Sequence, residues 1–374
     1  MKFNNKLYIG VFILILLGIA VYLSINSVNS RDTIKIGALF PLTGGLASYG
    51  EPAQKSVQLA VDEINNAGGI NGKKIEINFQ DHKCDSKIAV TIFQQVLATS
   101  NTNLFLAVGC SGTILGIAPQ LQNQILLGSA ISSPKISGIS PSVFRNYVSD
   151  DKESALFAKT IMEKGYKTVG IIFEKTDYAE GLKINLEKYL EGSGIKITGE
   201  GFITGSTEVR TQVTKIKSEN PEIVFISPQT VTSGDLILGE MQRQAYSPKL
   251  IVNENILKSV DLLSRYSKLL NGGLSADYVL ADNEKINSLL ERYKEKYEVD
   301  CPQKNICATM YDNVNLYANA IREKGNDINA IKDYLKSAIY VGASGTVSFD
   351  EKNDRKDIAY TLFEIKEGKA IEVK

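Results

Sequence analysis

Short apolar segments of two kinds alternate along the chain from Thr33 onward, and this alternation restricts the fold more than any other feature. The first segment, TIKIGALF, has the β-branched, apolar character of a strand. The next, EPAQKSVQLAVDEINNAGG, places Val57, Ala60, Val61 and Ile64 on one helical face. The same order repeats through KKIEINFQD, DSKIAVTIFQQVLAT, LFLAV, TILGIAPQLQN and ILLGSAI. This alternation with short loops predicts parallel sheets with helices on both faces.

A second series of the same kind begins near Asp150 and indicates a second lobe. Its members are ESALFAKTIMEKG, KTVGIIFE, YAEGLKINLEKYLEGSG, IKITGEGFI, TEVRTQVTKIKSEN, EIVFIS, SGDLILGEMQRQAY and KLIVNE. About ten strands in two series fit two similar α/β lobes better than one large sheet. Three helical segments follow, and the chain ends in GTVSFD and IAYTLFEIKEGKAIEVK, which we interpret as a hairpin-like pair of strands.

The first 30 residues differ in character from the rest of the chain. Two lysines precede a run without charge from Leu7 to Ile25. The apolar core of a signal peptide has about 7–15 residues and a membrane span about 17–25. Because neither an A-x-A cleavage site nor a lipid-anchor cysteine follows the run, we favour an uncleaved signal anchor at 1–30 over a cleaved signal peptide. In both cases the positive flank stays inside, so we expect residues from about Arg31 onward to be extracytoplasmic, in the periplasm or at the cell surface.

Charge and reactive residues exclude several classes of function. Lys+Arg and Asp+Glu both number 42, so no general attraction to nucleic acid or to an anionic membrane is expected. The four cysteines form no C-x-x-C pair, and His82 is the single histidine. A zinc site and histidine-based catalysis are therefore poorly supported. We predict no metal, no cofactor and no catalytic residue. The acidic pair Asp150-Asp151 at a helix start is interpreted as a partner of the helix dipole.

The stretch LAVGCSG is the best candidate for a binding edge. Cys84 and Cys110 each follow a predicted strand at its carboxyl end, where ligands bind in open parallel sheets. If the two strands are neighbours, a bridge would close a loop of roughly 27 residues and stabilise the fold by about 3.5 kcal/mol. Ser111 would then cap the next helix and favour an anion, which Gly109 and Gly112 allow to come close. Four cysteines allow three pairings, and a purely structural role for bridge and cap stays open.

Several stretches taken in order resemble a known family. They are IKIGALFPLTGGLASYGEPAQKSVQLAVDEINNAGGINGKKIEI, DHKCDSKIAV, GCSGTI, DYAEGLK and GTVSFDEKNDRKD. In these the chain resembles the type I periplasmic binding proteins of the Leu/Ile/Val-binding family, from Thr33 to the C-terminus. The resemblance implies an α/β fold of two Rossmann-like lobes joined by three crossings, with a ligand closed between them. It also implies delivery of that ligand to the membrane permease of an ABC importer.

The resemblance suggests how the chain is divided between the lobes. We predict an N-terminal lobe of residues 33-147 plus 275-344. A C-terminal lobe of residues 148-274 plus 345-374 would complete the molecule. Three crossings form a hinge that can bend without breaking either core, so we expect ligand binding to close the lobes.

The family's ligand contacts are carried over one residue at a time. Ser111 and Ser132 match the residues that hold the ligand carboxylate, and Ala130 matches a contact made through its carbonyl. Tyr178 matches an aromatic residue of the far lobe. Glu254 matches the acidic residue that receives the ligand's ammonium group. The resemblance therefore implies that the two ends of an amino acid bind to different lobes.

Two further positions bear on the ligand's side chain. Tyr49 matches the aromatic residue above that side chain, whereas Thr230 stands where the family has a second aromatic residue in the far lobe. The lost ring puts the side-chain specificity in doubt. Cys301 and Cys307 match the family only loosely, and their spacing suggests a small local disulfide beside the Cys84–Cys110 bridge.

The leading hypothesis is a substrate-binding protein for an amino acid, branched-chain or similarly apolar, with a small amide or an organic acid as the alternative ligand. A sensor ectodomain would have the same fold, but we expect none, because no signalling segment follows up to Lys374. An enzyme is disfavoured, since the sequence has no Gly-x-Ser-x-Gly motif, no Walker loop and no metal cluster.

Overall fold

The computed structural model describes residues 33–373, which form two large sheets with helices on both faces and a third sheet of two short strands. The N-terminal segment 1–30, interpreted above as an anchor or signal, lies outside the described residues. The strands of the first sheet are β1 (Thr33–Phe40), β2 (Lys74–Asp81), β3 (Leu104–Val108), β4 (Ile125–Ser129) and β5 (Val143–Arg145). They are all parallel, in the order β2-β1-β3-β4-β5. The predicted parallel α/β sheet is thus confirmed for the first half of the chain.

The second sheet has seven strands and a mixed character. The remaining strands in chain order are β6 (Thr168–Glu174), β7 (Lys196–Phe202), β8 (Ile223–Ser227), β9 (Lys249–Val252), β10 (Leu274–Asp277), β11 (Tyr340–Gly342), β12 (Gly345–Val347), β13 (Thr361–Lys366) and β14 (Lys369–Glu372). The sheet order is β14-β13-β10-β9-β8-β6-β7, with β13 and β14 antiparallel at one edge. Strands β11 and β12 pair only with each other. The expectation that GTVSFD pairs with the last segment is therefore wrong, because β12 turns back onto β11.

Helices follow the strands as the alternation predicts. They are α1 (Ala47–Asn66), α2 (Ser86–Ser100), α3 (Ser111–Ile117), α4 (Asp150–Glu163), α5 (Asp177–Leu190), α6 (Arg210–Glu219), α7 (Val231–Arg243), α8 (Glu254–Leu257), α9 (Val260–Arg265), α10 (Ser267–Leu270), α11 (Glu284–Tyr297), α12 (Lys304–Lys324) and α13 (Ile328–Ser337). Asp85 caps α2, since its carboxylate accepts from the backbone N–H groups of Lys87 and Ile88. Within residues 33–373, no helix combines the length and the apolar character needed to cross a bilayer.

Each sheet has its own apolar core on both faces. Helices α1, α12 and α13 cover one face of the first sheet, where Val57, Met310 and Leu335 are buried. Helices α2 and α3 cover its other face around Phe93 and Ile114. The second sheet is enclosed in the same way by α4 and α5 on one face and α6 to α10 on the other. Two separate cores on one chain give two lobes that can move as units.

The chain passes between the sheets three times. The connecting segments are residues 146–149, 278–283 and 348–360. The first lobe limit predicted from the sequence, 147/148, lies within the segment 146–149. The other two predicted limits, 274/275 and 344/345, precede the observed segments by a few residues, because β10 continues to Asp277 and β12 to Val347. The three connections hold the carboxyl ends of both sheets close to each other, and this is where the candidate site lies.

Candidate ligand-binding site

A small cavity lies between the lobes at the carboxyl ends of the strands. Its lining residues are Leu46, Tyr49, Gly109, Cys110, Ser111, Ala130, Ser132, Tyr147, Tyr178, Gln229, Glu254 and Asn255. Six of the seven ligand contacts suggested by the sequence therefore meet in one place. The cavity volume is about 20 Å³, which is room for about one water molecule. The lobes must separate before a ligand as large as an amino acid can enter.

The disulfide between Cys84 and Cys110 forms the edge of the first-lobe wall. Their Cα atoms are 5.4 Å apart. The sequence-based expectation of this bond assumed that strands β2 and β3 are neighbours in the sheet. That assumption is wrong, because β1 lies between them. The bond forms because the loop after β2 crosses the end of β1, with the His82 backbone N–H bonded to the carbonyl of Phe40. The bridge thus ties the loops after two non-adjacent strands.

The backbone after β3 and β4 has unusual geometry where it meets the cavity. Gly109 has φ of +63°, and Cys110 and Ala130 have φ of +54° and +52°. Residues other than glycine rarely adopt this left-handed backbone conformation, and those that do cluster at functional sites. The turn at Cys110 and the turn at Ala130 bring Ser111 and Ser132 to the same wall. Sequence reasoning could not find this strain, because neither residue type signals it.

Ser111 connects the loops after β3 and β4, which carry the candidate ligand contacts of the first lobe. The prediction that it caps the following helix is wrong: Cys110 occupies the N-cap position, and Ser111 is the first helical residue. Its Oγ instead accepts a hydrogen bond of 3.1 Å from the backbone N–H of Ser133. The hydroxyl of Ser111 is therefore fixed next to Ser132, with 2% of the residue exposed.

A buried arginine holds the second of these loops from behind. Arg145 Nη1 donates to the carbonyl oxygens of Ser132 and Ser133 at 3.0 and 2.9 Å. Its Nη2 lies 2.6 Å from the carboxylate of Asp354 in the third connecting segment. The arginine charge is thus balanced, and the loop that carries Ser132 is joined to the hinge.

The second-lobe wall is acidic. The phenol of Tyr178 donates to Glu254 Oε2 at 2.7 Å, and Asn253 Nδ2 donates to the same phenol oxygen at 3.2 Å. Glu254 is 8% exposed. Burial raises the pKa of Glu254 above its usual value, while the nearby Lys258 ammonium partly lowers it. The wall therefore offers a desolvated carboxyl group that a cation would stabilise.

Direct contacts between the lobes close the cavity. The Tyr49 phenol donates to Asn255 Oδ1 at 2.9 Å across the cleft. Lys135 Nζ lies 3.0 Å from Asp177 Oδ1 near the outer edge. A Cβ on Gly112 would come within 3.0 Å of Asp177 Oδ2, so this glycine permits the close approach of the lobes. These contacts have to break when the cleft opens.

Thr230 is the one suggested contact that does not line this cavity. It caps α7, since its Oγ1 accepts from the Ser233 backbone N–H at 3.1 Å, and it borders a neighbouring, larger cavity. Its neighbour Gln229 lines the binding cavity instead. Sequence reasoning also missed Tyr147 and Asn255. Asn255 follows Glu254 directly, which was a usable signal, whereas nothing in the sequence around Tyr147 points to the cleft.

The second disulfide lies away from the cavity. Cys301, in the turn between α11 and α12, is bonded to Cys307 in the first turn of α12, with Cα atoms 6.7 Å apart. Both belong to one buried apolar cluster with Leu59 and Tyr293, so this bridge stabilises the packing of helices in the first lobe. In the part of the chain that the structure describes, no group of three or more His, Cys, Asp or Glu side chains is arranged to hold a metal ion.

Comparisons with known proteins agree with the fold described above. The sequence profile of the periplasmic binding protein family matches residues 33–370. A leucine-, isoleucine-, valine-, threonine- and alanine-binding protein of Pseudomonas aeruginosa is 25% identical over 344 residues, which is 90% of each chain. The crystal structure of a leucine binding protein, LivK, from Thermotoga maritima covers 91% of this chain and 98% of its own with a TM-score of 0.79 at 20% identity. A solute binding protein from R. palustris in complex with benzoate covers 91% and 95%, with a TM-score of 0.76 at 14% identity.

Proposed function

Because the chain belongs to the periplasmic binding protein family, we propose that it is an extracytoplasmic substrate-binding protein that captures an amino acid for an ABC importer. One observation carries this proposal: the two walls of the cavity have opposite chemistry. Hydroxyl groups of Ser111 and Ser132 lie on the first-lobe wall, and the buried carboxyl group of Glu254 lies on the second-lobe wall. A zwitterion complements such a pair of walls, whereas a simple acid or a simple amine complements only one.

Each end of the ligand has its own partner in this proposal. The α-carboxylate accepts hydrogen bonds from Ser111 and Ser132 in the first lobe. The α-ammonium meets Glu254, whose carboxylate is oriented by the phenol of Tyr178. A buried charge is costly unless an opposite charge meets it. Since the ligand's two ends bind to different lobes, binding stabilises the closed form over the open one.

Opening and closing complete the binding cycle. The cavity of about 20 Å³ is too small for ligand entry, so the three connecting segments must act as a hinge. Small-angle scattering is expected to show a larger radius of gyration for the ligand-free protein than for the complex. The closed, loaded form would be the one that docks on the permease.

Two of the proteins compared above are named for the amino acids that they bind and the third is in complex with benzoate, but the lining does not favour an apolar side chain here. Of the lining residues within 33–373, only Leu46 and Ala130 have aliphatic side chains. Tyr147, Gln229 and Asn255 add polar groups instead. Tyr147 and Asn255 already have partners, since Asn305 Nδ2 donates to the Tyr147 phenol and the Tyr49 phenol donates to Asn255 Oδ1. The lining therefore offers few apolar contacts to a branched-chain side chain.

The family and the two disulfides support the proposed extracytoplasmic location of the protein, because disulfides persist in oxidising compartments. We further propose that the uncharged run between Leu7 and Ile25 stays attached as a membrane anchor. N-terminal sequencing of the mature protein is expected to find the original N-terminus. A mature chain that begins near Arg31 would show that the run is a cleaved signal.

A single substitution tests the function. The Glu254→Gln protein is expected to lose roughly 30-fold or more in affinity for the amino acid that copurifies with the wild-type domain, identified by mass spectrometry. Circular dichroism should show the same fold, because glutamine has the shape of the protonated side chain. Glu163→Gln, an exposed position on α4, serves as the control and should bind as wild type does. Equal affinity of Glu254→Gln and wild type would show that Glu254 does not receive an ammonium group.

A further inference from the structure

A second cavity adjoins the binding cavity inside the cleft, and it is much larger. We call it the outer cavity, and the binding cavity described above the inner cavity. Three residues, Leu46, Cys110 and Gln229, line both. The outer cavity has a volume of about 430 Å³, against about 20 Å³ for the inner one. The rest of its wall comes from both lobes and includes Lys83, Ser86 and Thr113 of the first lobe and Lys175, Thr204 and Thr230 of the second.

The side chain of a ligand needs space that the inner cavity does not have. The polar groups of the inner cavity are assigned above to the α-carboxylate and the α-ammonium, and its volume is that of about one water molecule. The outer cavity, at about 430 Å³, lies in the ordinary range of small-molecule sites, about 300–1,000 Å³. Because the two cavities share wall residues, a side chain can pass from the inner to the outer cavity beside Leu46, Cys110 and Gln229.

Gln229 lies at this boundary with a fixed backbone and an unused side chain. Its backbone N–H donates to Glu174 Oε2 at 2.8 Å, and its carbonyl oxygen accepts from Asn255 Nδ2 at 3.2 Å. Within residues 33–373, the side-chain amide of Gln229 makes no hydrogen bond. A free amide can donate to one group and accept from another, so it complements a second amide or a similar uncharged group.

The outer cavity is polar. Among its lining residues within 33–373, only Leu46 has an aliphatic side chain. Both lobes contribute hydroxyl and ammonium groups, and α5 adds the carboxylates of Asp177 and Glu180. Because charges of both signs are present, and Asp177 is paired with Lys135, the wall does not select one sign of charge. A hydrogen-bonding group finds donors and acceptors here, whereas an apolar side chain gains few apolar contacts.

Thr230 keeps the outer cavity open on the second-lobe side. Its hydroxyl is occupied, since it accepts from the backbone N–H of Ser233. Its methyl group faces the first lobe at Gly45, where an added Cβ would come within 2.9 Å of Thr230 Cγ2. A small side chain and a glycine thus face each other across the cleft, and a larger side chain at position 230 would take up space that the cavity now has.

We propose that the natural ligand is an amino acid with an extended side chain that carries an uncharged hydrogen-bonding group, such as an amide or a ureido group. Gln229 binds that group at the boundary, and the outer cavity holds the end of the side chain. This inference rests on the proposed function and names its substrate class. Gln229 is a specificity-determining residue, because it distinguishes a polar side chain from an apolar one of the same shape.

Isosteric pairs of amino acids test the proposal in the full-length protein freed of copurifying ligand. Glutamine is compared with 2-amino-5-methylhexanoate and citrulline with 2-amino-7-methyloctanoate, which replace the amide or ureido group by carbon atoms. Isothermal titration calorimetry is expected to show the polar member of at least one pair binding roughly tenfold or more tightly than its apolar partner. Gln229→Leu should reduce that ratio by at least about fivefold without weakening the apolar member. The same change at exposed Gln242 on α7, Gln242→Leu, should leave the ratio unchanged.

Two variants at position 230 test whether the outer cavity holds the side chain. Thr230→Phe and Thr230→Val both remove the capping hydroxyl, but only phenylalanine adds a ring that fills the cavity. Thr230→Phe should bind the favoured polar amino acid roughly tenfold or more weakly than Thr230→Val does, whereas alanine should bind to both variants equally. If the two variants bind the polar amino acid equally, the side chain lies elsewhere and the inference is wrong. If Thr230→Phe slows the association of alanine and of the polar amino acid by the same factor, the outer cavity is only an entrance, which also overturns the inference.

Failure of the inference is distinguishable from failure of the proposed function. If the apolar member of each pair binds as tightly as the polar one, or if Gln229→Leu leaves the ratio unchanged, the proposed function stands but the polar side chain read by Gln229 is wrong. Tighter binding of arginine or 2-aminoadipate than of citrulline would assign a charged side chain instead. If no amino acid binds and the copurifying ligand is not an amino acid, the inference falls together with the proposed function.

Discussion

Two buried polar regions adjoin the cleft, and they treat charge in opposite ways. In the hinge region, Arg145 pairs with Asp354 at 2.6 Å. Arg355 Nη1 donates to Asn146 Oδ1 at 3.2 Å and to the Tyr278 phenol at 3.0 Å, so it joins all three connecting segments. At the start of α4, by contrast, lie the buried carboxyl groups of Asp150 and Glu153, here called the acidic cluster, in which Asp150 Oδ2 and both oxygens of Glu153 have no hydrogen-bond partner among residues 33–373. In the hinge region the donors and acceptors are paired except for Arg355 Nε, whereas in the acidic cluster three carboxyl oxygens are unpaired among residues 33–373.

The difference separates structural from functional burial of charge. A buried ion pair with its hydrogen bonds satisfied fixes the geometry of the connections. Buried carboxyl groups that lack hydrogen-bond partners lower the stability of the folded protein. The two regions should therefore respond to mutation with opposite signs.

The largest effect is expected where the balanced region is broken. Arg145→Met leaves Asp354 unpaired and the carbonyl groups of the Ser132 loop without their donor. It should lower the free energy of unfolding by about 3–5 kcal/mol, measured by urea denaturation. Arg265→Met, at a half-exposed surface pair with Asp235, should cost no more than about 1 kcal/mol. Equal losses at both sites would contradict a structural role for the buried pair.

Removing charge from the acidic cluster should have the opposite sign. Glu153→Gln is expected to raise the free energy of unfolding of the ligand-free protein by about 1–3 kcal/mol at pH 8. The reason is that glutamine takes the place of a carboxyl group surrounded by like charges. Glu163→Gln on the same helix should change it by less than about 0.5 kcal/mol. A destabilised Glu153→Gln protein would mean that Glu153 already has a partner.

The pH dependence of stability sharpens the same contrast. Burial and the charge of Glu254 raise the pKa of Asp150 to about 7, and burial also raises the pKa of Glu153. The folded state therefore holds protons that the unfolded state has lost above pH 4–5, and stability falls as pH rises through the folded pKa values. Buried His82, whose pKa is lowered to about 4, contributes the opposite slope below about pH 6.5. Between pH 6.5 and 8.5 the melting temperature should fall, and it should fall less in Glu153→Gln. A rise over this range would show that the carboxyls are compensated.

The smallest effect concerns the hinge hydrogen bonds. Tyr278→Phe removes the phenol oxygen that accepts from Arg355 and should lower the free energy of unfolding by about 1–2 kcal/mol. Tyr246→Phe is the matched control, because the buried hydroxyl of Tyr246 has no hydrogen-bond partner within residues 33–373. Its removal should be neutral or slightly stabilising. The same denaturation curves measure both variants, and a control that loses as much as Tyr278→Phe would remove the argument for the hinge bond.

The fold was predictable because its signals are local. The change from period two to period 3.6 marks strands such as β1 and β3 and the helices after them. The three-residue strand β5 was missed, since Val143–Arg145 has too little length to show a period. The pairing of β12 with β11 was missed because strand pairing depends on the path of the chain and not on local pattern.

The site was predictable only where a family motif marks it. Ser111, Ala130, Ser132, Tyr178 and Glu254 line one cavity as the resemblance suggests. The acidic cluster was not foreseen: a charge pair at a helix start usually faces water, but Asp150 is buried under the hinge. Burial of a residue in the first turn depends on what the other lobe places over it, and no local pattern carries that information.

The central claim is that the acidic wall receives the ammonium group of an amino acid. Calorimetry on the wild-type protein tests it most directly by comparing an amino acid with the acid that lacks only the α-ammonium, as in ornithine with 5-aminopentanoate and norleucine with hexanoate. We predict that the amino acid of a bound pair has at least roughly 30-fold higher affinity. Equal affinity for both members would contradict the claim, and the ligand would then be an organic acid or an amide that is not recognised through an ammonium group.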